Sequence, residues 1–271
     1  MWGAKSVAAR HNDIVVTEDE FRRALEEDQL VVYFQPQIDI ASKLLFGVES
    51  LVRWIHPERG LIGPDNFIPM AEKLNLIDDM TDIVLRKSMQ QCREWKSLGL
   101  DINLSVNISV DSLVRLDLPE YVVKCAKQHE LDVSKIMLEI TESRLMEDIT
   151  SALDILTRIS LKGIGLSIDD FGTGYSSMEQ LQRIPFKELK IDRAFVNGAL
   201  HDKAARAILE SSIALAHKLN MTIVAEGVEN DEDLGLVSSL GCTLAQGYFI
   251  SRPLPGKDVY AWYKDWEKNN K

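Results

Sequence analysis

Cysteine is scarce in this chain of 271 residues: it occurs three times, at Cys92, Cys125 and Cys242, and never as a CxxC pair. That spacing excludes a zinc ribbon and a disulfide framework, and it is typical of a reducing compartment. No apolar run approaches the roughly 18 residues of a membrane span, and the segment from Met1 to Asp13 lacks the apolar core of a secretory signal. These absences predict a cytoplasmic protein, or a cytoplasmic part of a larger chain.

Basic residues are too few to form a broad cationic face. Lys and Arg number 31 against 42 Asp and Glu, and the formal net charge is −11. This balance argues against binding of duplex nucleic acid. It leaves an anionic substrate open, because bound divalent metals can reverse the sign of an acidic site. Hydrophobic residues make up 45% of the chain, which is enough for a large core and excludes disorder for most of it.

No linker or low-complexity tract divides residues 17–264, in which short apolar runs alternate with amphipathic stretches. We predict one domain over residues 16–271, preceded by a linker or vector-derived segment over residues 1–15. A capping box at Thr17 and Glu20 predicts a first helix that ends near Glu27. The predicted strands are 30–35, 45–51, 102–108, 135–140, 163–169, 188–191, 222–226 and 243–249. The other predicted helices are about 65–74, 78–98, 118–130, 148–162, 176–183, 200–219, 230–240 and 256–268.

This alternation of strands and helices predicts an α/β fold of the TIM-like (β/α)8 barrel type, with a doubly wound open sheet as the alternative. The first two predicted strands are joined by only about nine residues with no helix. A parallel crossover usually needs a dozen or more residues. We therefore predict a modified barrel with an antiparallel first strand.

Polar side chains stand where the predicted strands end. They are Gln35, Glu49, Asn107, Glu139, Asp169, Asp170, Lys190, Glu226 and Gln246. The carboxyl ends of barrel strands meet at one rim, where barrel enzymes place their chemistry. Burying many carboxylates together requires cations, and oxygen ligands select Mg²⁺ or Mn²⁺ over zinc. The consecutive acids at 169 and 170 predict two ions, as in displacement at phosphorus; for any single acid, a helix cap is the alternative.

Eight short motifs, in this order, carry a resemblance to the EAL-domain family of bacterial cyclic-di-GMP phosphodiesterases. The motifs are Tyr33-Phe-Gln-Pro36, Glu49-Ser-Leu-Val-Arg-Trp54, Ser105-Val-Asn-Ile-Ser109, Leu138-Glu-Ile-Thr-Glu142, Asp169-Asp-Phe-Gly-Thr-Gly-Tyr-Ser-Ser177, Leu189-Lys-Ile-Asp192, Val224-Ala-Glu-Gly-Val-Glu229 and Ala245-Gln-Gly-Tyr-Phe249. The resemblance covers roughly residues 17–264. One departure is Ser50, which stands in the signature tripeptide where the family usually has Ala.

The resemblance implies a TIM-like barrel with an antiparallel first strand and metal-dependent hydrolysis of cyclic di-GMP to linear pGpG. The implied cofactors are two divalent ions, Mg²⁺ or Mn²⁺. The implied ligands of one ion are Glu49, Asn107, Glu139 and Asp169. Asp169 would bridge to a second ion held by Asp170. Glu226 would be either a ligand of that ion or the acceptor of the water proton, and Lys190 would orient the attacking water.

The same resemblance implies how substrate and partners bind. The residues that would hold cyclic di-GMP are Gln35, Leu51, Arg53 and Gln246. Glu142 would tether the loop over residues 171–177, which the family uses to couple metal binding to dimerisation. We therefore expect a homodimer, and a flanking sensory or GGDEF domain is possible in a larger chain.

Two other functions stay open at this point. One is a catalytically weak EAL domain that acts as a cyclic-di-GMP receptor or protein-interaction module. Such a receptor is expected to have lost one or more of the metal-binding acids, and none is missing here. The other is a different two-metal hydrolase on a similar barrel.

Overall fold

The computed structural model describes residues 16–147, 149–173, 181 and 183–270. Its strands are β1 (Leu30–Asp39), β2 (Leu45–His56), β3 (Gly60–Ile62), β4 (Asn103–Asn107), β5 (Ile136–Thr141), β6 (Gly165–Phe171), β7 (Glu188–Ile191), β8 (Thr222–Ala225), β9 (Leu244–Gln246) and β10 (Leu254–Pro255). Its helices are α1 (Glu18–Glu26), α2 (Ile68–Lys73), α3 (Ile77–Ser97), α4 (Leu118–Gln128), α5 (Glu142–Glu147), α6 (Ile149–Leu161), α7 (Arg193–Gly198), α8 (Lys203–Lys218), α9 (Asp231–Leu240) and α10 (Gly256–Asn270).

Eight of the strands close into a ring in the order β1, β9, β8, β7, β6, β5, β4, β2, and β2 then pairs with β1. Strand β1 is antiparallel to both of its neighbours in the ring. The other ring pairs, from β2–β4 round to β8–β9, are parallel. The predicted barrel with an antiparallel first strand is therefore confirmed, and the open doubly wound sheet is wrong.

The first hairpin is tighter than predicted. Strand β1 continues to Asp39 and β2 begins at Leu45, so the connection is a short turn rather than about nine residues. The Asp39 carboxylate accepts hydrogen bonds from the backbone N–H and the hydroxyl of Ser42, which stabilises this turn. Both strands are long because each pairs along its length with the other.

Short elements account for most of the other differences between prediction and structure, and the predicted strand over 243–249 ends at Gln246. Strands β3 and β10 and helices α5 and α7 were not predicted, since two to six residues carry no clear periodicity. The predicted helix over 200–219 begins at Lys203, and the predicted helix over 65–74 begins as a 3₁₀ turn, Pro64–Asn66, before α2. The segment 1–15 and most of the predicted helix 176–183 lie outside the described residues.

Apolar side chains seal the barrel against its helices. Phe34 of β1 meets Trp95 of α3 edge to face, with ring centroids 4.8 Å apart. Helix α1 starts from the predicted capping box, in which the Thr17 N–H donates to the Glu20 carboxylate, and it packs Phe21 against Trp54. Each such buried aromatic side chain contributes about 1.5–3 kcal/mol to stability.

Among the described residues no helix combines the length and apolar character needed to cross a bilayer. The cytoplasmic location stays a prediction.

Candidate metal centre

The strand ends bring the predicted polar residues together at one mouth of the barrel. Asn107, at the end of β4, pairs in register with Glu139 of β5. Paired residues of parallel strands point to the same face of the sheet, and side chains alternate between the two faces along each strand. Both side chains of such a pair therefore lie on the same side. Nine polar residues predicted from strand ends come together here: Gln35, Glu49, Asn107, Glu139, Asp169, Asp170, Lys190, Glu226 and Gln246. Gln35 and Glu49 were wrongly placed at strand ends: β1 and β2 continue past them, and both residues lie within these longer strands.

Lys190 is the centre of the acid cluster, and its side chain is fully buried. Its Nζ atom lies 2.7 Å from carboxylate oxygens of both Glu139 and Glu226. It lies 3.2 Å from Asp169 and 3.3 Å from Glu49. One positive charge thus faces four carboxylates, and the pocket has an excess of negative charge that one lysine cannot balance.

Carboxamides hold Glu49 from the open side of the cluster. The Asn107 Nδ2 atom donates to Glu49 Oε1 at 2.7 Å, and the Gln246 Nε2 atom donates to Glu49 Oε2 at 2.6 Å. Gln246 Nε2 also reaches Gln35 Oε1 at 3.1 Å, and Gln37, which was not predicted, donates to Gln246 Oε1 at 2.9 Å. Both oxygens of Glu49 are therefore fixed in orientation.

Burial and the neighbouring charges shift the pKa values of the clustered carboxylates and of Lys190. Burial raises the pKa values of Glu139 and Glu226 well above their ordinary range, although Lys190 lowers both. Burial also acts to raise the pKa of Glu49, but Lys190 and the carboxamides around it bring the value below the ordinary one. Burial disfavours the charged form of Lys190, yet the surrounding carboxylates raise its pKa well above the usual value. These acids repel one another in the absence of further positive charge.

Two groups of carboxylates have the spacing of cation sites. Oxygens of Glu49, Glu139 and Asp169 all lie within 4.8 Å of one another, and so do oxygens of Asp169, Asp170 and Glu226. Asp169 belongs to both groups. In addition, Glu139 Oε1 is buried without a hydrogen-bond partner among the described residues. This donor set fits hard divalent ions, which bind carboxylate and amide oxygens.

The backbone at Asp169 and Asp170 departs from a regular strand. Asp170 has φ of 54°, a left-handed conformation that Asp tolerates better than most residues. At the same place the register of β6 against β7 shifts between Ile168 and Phe171. Burial and the neighbouring charge of Asp169 raise the pKa of Asp170 to about 6. The local distortion lets consecutive residues serve one centre.

Glu142 lies away from the acid cluster and contacts the loop that follows β6. Its Oε2 atom accepts a hydrogen bond of 2.8 Å from the Gly172 N–H. Gly172 has φ of +99°, which favours glycine. This contact joins Glu142 to the start of the loop over residues 171–177, and its role as a tether stays a prediction. The rest of that loop, from 174 onward, lies outside the described residues.

A cleft of about 550 Å³ opens above the centre. The predicted site residues that line it are Gln35, Glu49, Leu51, Asp170, Glu226 and Gln246. Arg53 is not among them: it lines an adjoining, largely apolar pocket of about 270 Å³, and both cavities share Leu51 and Asp65. Arg53 donates to the Val52 carbonyl oxygen and lies 6.0 Å from the ring centroid of Tyr33.

Sequence reasoning missed several residues that line the cleft. They are Asp65, Asp192, Arg193, Glu229 and Tyr248. Asp192, Glu229 and Tyr248 stand within motifs that were recognised, and Asp192 directly follows β7, so a signal was available for these three. Asp192 also caps α7, where its carboxylate accepts from the Ala194 N–H. Asp65 and Arg193 show no periodicity or spacing that could have identified them.

Ser50 is accommodated on the opposite side of β2 from the cluster. Its side chain is buried, and its hydroxyl donates to the Ser105 carbonyl oxygen on β4 at 2.9 Å. Since neighbouring side chains of a strand point to opposite faces, this hydroxyl leaves Glu49 and Leu51 undisturbed. The departure from the family tripeptide is thus a change in strand contacts and not in the acid cluster.

Comparison with known families agrees with this arrangement. The profile of the EAL domain matches residues 18–253. The chain belongs to the EAL domain family. This EAL domain is 42% identical over 243 residues to the bifunctional diguanylate cyclase/cyclic di-GMP phosphodiesterase MucR of Pseudomonas aeruginosa, an alignment that covers 89% of this chain and 36% of MucR. The predicted family is therefore confirmed.

Two further comparisons extend the likeness. The cyclic di-GMP phosphodiesterase NbdA of Pseudomonas aeruginosa is 39% identical, over 93% of this EAL domain and 32% of NbdA. A solved structure of the MucR phosphodiesterase in complex with c-di-GMP is 42% identical and superposes with a TM-score of 0.85, covering 89% of this chain and 98% of that one. The EAL domain spans about a third of the length of these two curated relatives.

Proposed function

We propose that this EAL domain hydrolyses cyclic di-GMP to linear pGpG with two divalent ions, Mg²⁺ or Mn²⁺. The observation that carries the proposal is the pair of carboxylate groups that share Asp169 around a buried lysine. The likeness to proteins named as cyclic di-GMP phosphodiesterases supports cyclic di-GMP as the substrate. Bound at this centre, two divalent ions supply Lewis acidity, which neutralises phosphate charge and lowers the pKa of water.

Different residues of the chain are proposed as ligands of each ion. The proposed ligands of one ion are Glu49, Asn107, Glu139 and Asp169. Asn107 donates its N–H to Glu49, which leaves its Oδ1 atom for a cation. Asp170 would hold the second ion together with Asp169. Glu226 has an oxygen within 4.8 Å of oxygens of Asp169 and Asp170, and it would serve as a ligand of that ion or as the acceptor of the water proton.

Lys190 supplies mobile positive charge at the reacting phosphate. Its Nζ atom already lies 2.7 Å from Glu226 and 3.2 Å from Asp169. From this position it can orient the attacking water and meet the negative charge that develops on the phosphoryl oxygens. Its burial excludes competing solvent and strengthens that interaction.

The two adjoining cavities suit the two parts of the substrate. The polar cleft lies over the acid cluster and receives the phosphodiester, with Gln35 and Gln246 in its lining. The apolar pocket next to it can take a purine base, and Leu51 lies between the two. Arg53 faces this pocket with a planar fork that can donate two hydrogen bonds to a phosphate.

A receptor without turnover is less well supported. It would be expected to lack one or more of the acids, yet all of them converge here within reach of Lys190 or of one another.

The contact between Glu142 and Gly172 supports a further part of the proposal, that the loop after β6 couples the centre to formation of a homodimer. The longer relatives make a flanking sensory or GGDEF domain part of the same proposal.

The test is to incubate the purified protein with cyclic di-GMP and Mn²⁺ or Mg²⁺ and to follow pGpG by chromatography. We expect pGpG to accumulate with either ion and to cease with excess chelator. Binding of cyclic di-GMP without product, from folded protein with metal present, would favour the receptor. Equal turnover of unrelated phosphodiesters would favour a different two-metal hydrolase.

A further inference from the structure

A row of polar side chains crosses the inside of the barrel beneath the acid cluster. Glu139 of β5 pairs in register with Ser167 of β6, and Ser167 pairs with Glu188 of β7. Paired residues of parallel strands face the same side, so Ser167 and Glu188 point inward with Glu139. Glu188 precedes Lys190 by two residues on β7 and therefore lies on the same face, one step deeper in the barrel.

Each member of this row keeps an oxygen without a hydrogen-bond partner among the described residues. The three atoms are Glu139 Oε1, Ser167 Oγ and Glu188 Oε1, and the three side chains are at most 1% exposed. Burying a polar atom unsatisfied costs free energy. Because the three residues are paired neighbours on adjacent strands, one shared partner would satisfy them together. The inside of a barrel is normally filled by branched apolar residues, which makes this row unusual.

The electrostatics of Glu188 agree with a polar surrounding. Burial raises the pKa of Glu188 to about 7, while Ser167 and then Lys190 lower it. The Ser167 hydroxyl is thus close enough to stabilise the carboxylate, although it makes no hydrogen bond of good geometry. A small hydrogen-bonding molecule between them would complete the contacts.

We propose that Ser167 and Glu188 are positioning residues that hold the inner oxygen of Glu139 through one shared water molecule. Such a water can donate to Glu139 Oε1 and Glu188 Oε1 and accept from the Ser167 hydroxyl, which satisfies all three orphaned atoms. Glu139 Oε2 is already fixed at 2.7 Å from Lys190. With both oxygens fixed, the Glu139 carboxylate is preorganised for a metal ion.

This inference rests on the proposed role of Glu139 as a metal ligand. Its test is the affinity for Mn²⁺ alone, measured by calorimetric titration of the whole chain. Two variants remove one contact each, Ser167→Ala and Glu188→Met. Glu188→Gln removes the charge but keeps an oxygen that can accept from water. Ser88→Ala is the matched control, because Ser88 is likewise fully buried with an unpartnered hydroxyl but lies on α3.

We expect Ser167→Ala and Glu188→Met to bind Mn²⁺ about tenfold more weakly than wild type, the lower end of the effect of losing an outer hydrogen bond to a ligand. Glu188→Gln and Ser88→Ala should stay close to wild type. Wild-type affinity in both Ser167→Ala and Glu188→Met would overturn the inference and leave the proposed function intact. Equal weakening in Glu188→Met and Glu188→Gln would show that charge alone matters and overturn the shared water.

A wild-type chain that binds no Mn²⁺ would instead refute the metal assignment itself. If Glu188→Met fails to fold, Ser167→Ala and Ser88→Ala still decide the question. A crystal structure of the metal-loaded protein provides the direct readout. It should show a water within hydrogen-bond distance of all three oxygens, and a dry gap there would contradict the inference.

Discussion

Replacing Lys190 by Met tests whether the buried acids form a cation site. The substitution keeps a long apolar stem and removes the charge that contacts Glu49, Glu139, Asp169 and Glu226. Removing one partner of a buried ion pair costs about 3–5 kcal/mol. In a protein of this size each kcal/mol shifts Tm by about 2–4 °C. We therefore expect Tm in chelator at pH 8 to fall by roughly 6–20 °C.

Metal should reverse much of this loss. Mn²⁺ at about 100 times its Kd stabilises any protein that binds it only when folded by about 2.7 kcal/mol. In the Lys190→Met variant the ions would meet carboxylates that no lysine neutralises, so the rise in Tm on adding Mn²⁺ should exceed that of wild type. Turnover of cyclic di-GMP should nevertheless stay at least about 100-fold below wild type, because the charge that meets the phosphate is gone.

Lys87→Met is the matched control for this measurement. Lys87 is partly buried, and its Nζ atom lies 2.8 Å from the Asp28 carboxylate and donates to the Leu30 carbonyl oxygen at 2.6 Å, but it lies outside the acid cluster. The Lys87→Met variant should lose no more than about 1–3 kcal/mol of unfolding free energy, and its Tm should respond to Mn²⁺ as that of wild type does. The reasoning is refuted if Lys190→Met is as stable as wild type in chelator. It is also refuted if Mn²⁺ raises the Tm of Lys190→Met and of wild type by the same amount.

Four further changes probe other parts of the molecule. Glu49→Ala should abolish pGpG formation with a cooperative thermal transition retained by circular dichroism; surviving turnover would refute its role as ligand. Glu142→Ala removes the acceptor of the Gly172 N–H and should slow turnover by about tenfold to a hundredfold. This corresponds to the loss of one charged hydrogen bond of about 1.5–3 kcal/mol. The rise in Tm on adding Mn²⁺ should persist in this variant. In chelator, Glu188→Gln should raise the free energy of unfolding by about 3 kcal/mol at pH 8 and little at pH 4. The reason is that folding raises the pKa of Glu188 from 4.5 to about 7, so the wild-type folded state loses stability as pH rises through that range. An equal gain at both pH values, measured by urea unfolding, would contradict this. Ser50→Ala should cost about 1 kcal/mol through the lost bond to Ser105 and leave turnover unchanged, and a large drop in kcat would show that the serine serves the chemistry.

The sequence was sufficient to predict the barrel and its mouth. Continuous apolar runs followed by helices indicate strands covered on both faces, and polar residues at the ends of these runs must then meet at one rim. Glu49, Glu139 and Lys190 come from three different strands, yet they converge as this argument requires. The short connection after the first strand likewise sufficed to predict its antiparallel direction.

What the sequence could not predict depends on local geometry. The left-handed backbone of Asp170 and the shift in register beside it leave no compositional trace. Arg53 was grouped with the residues over the acids, but its stem leads into the adjoining pocket, because the direction of a long side chain depends on packing. Glu188 was read as the start of a strand, and only the register of β6 and β7 shows that it lies beneath Lys190.

Anomalous diffraction from crystals loaded with Mn²⁺ and substrate tests the central claim most directly. We predict two peaks roughly 3.5–4 Å apart, one beside Glu49 and Glu139, the other beside Asp170 and Glu226, with Asp169 between them. Peaks that lie away from the barrel mouth, or a single ion without contact to Asp169, would contradict the account.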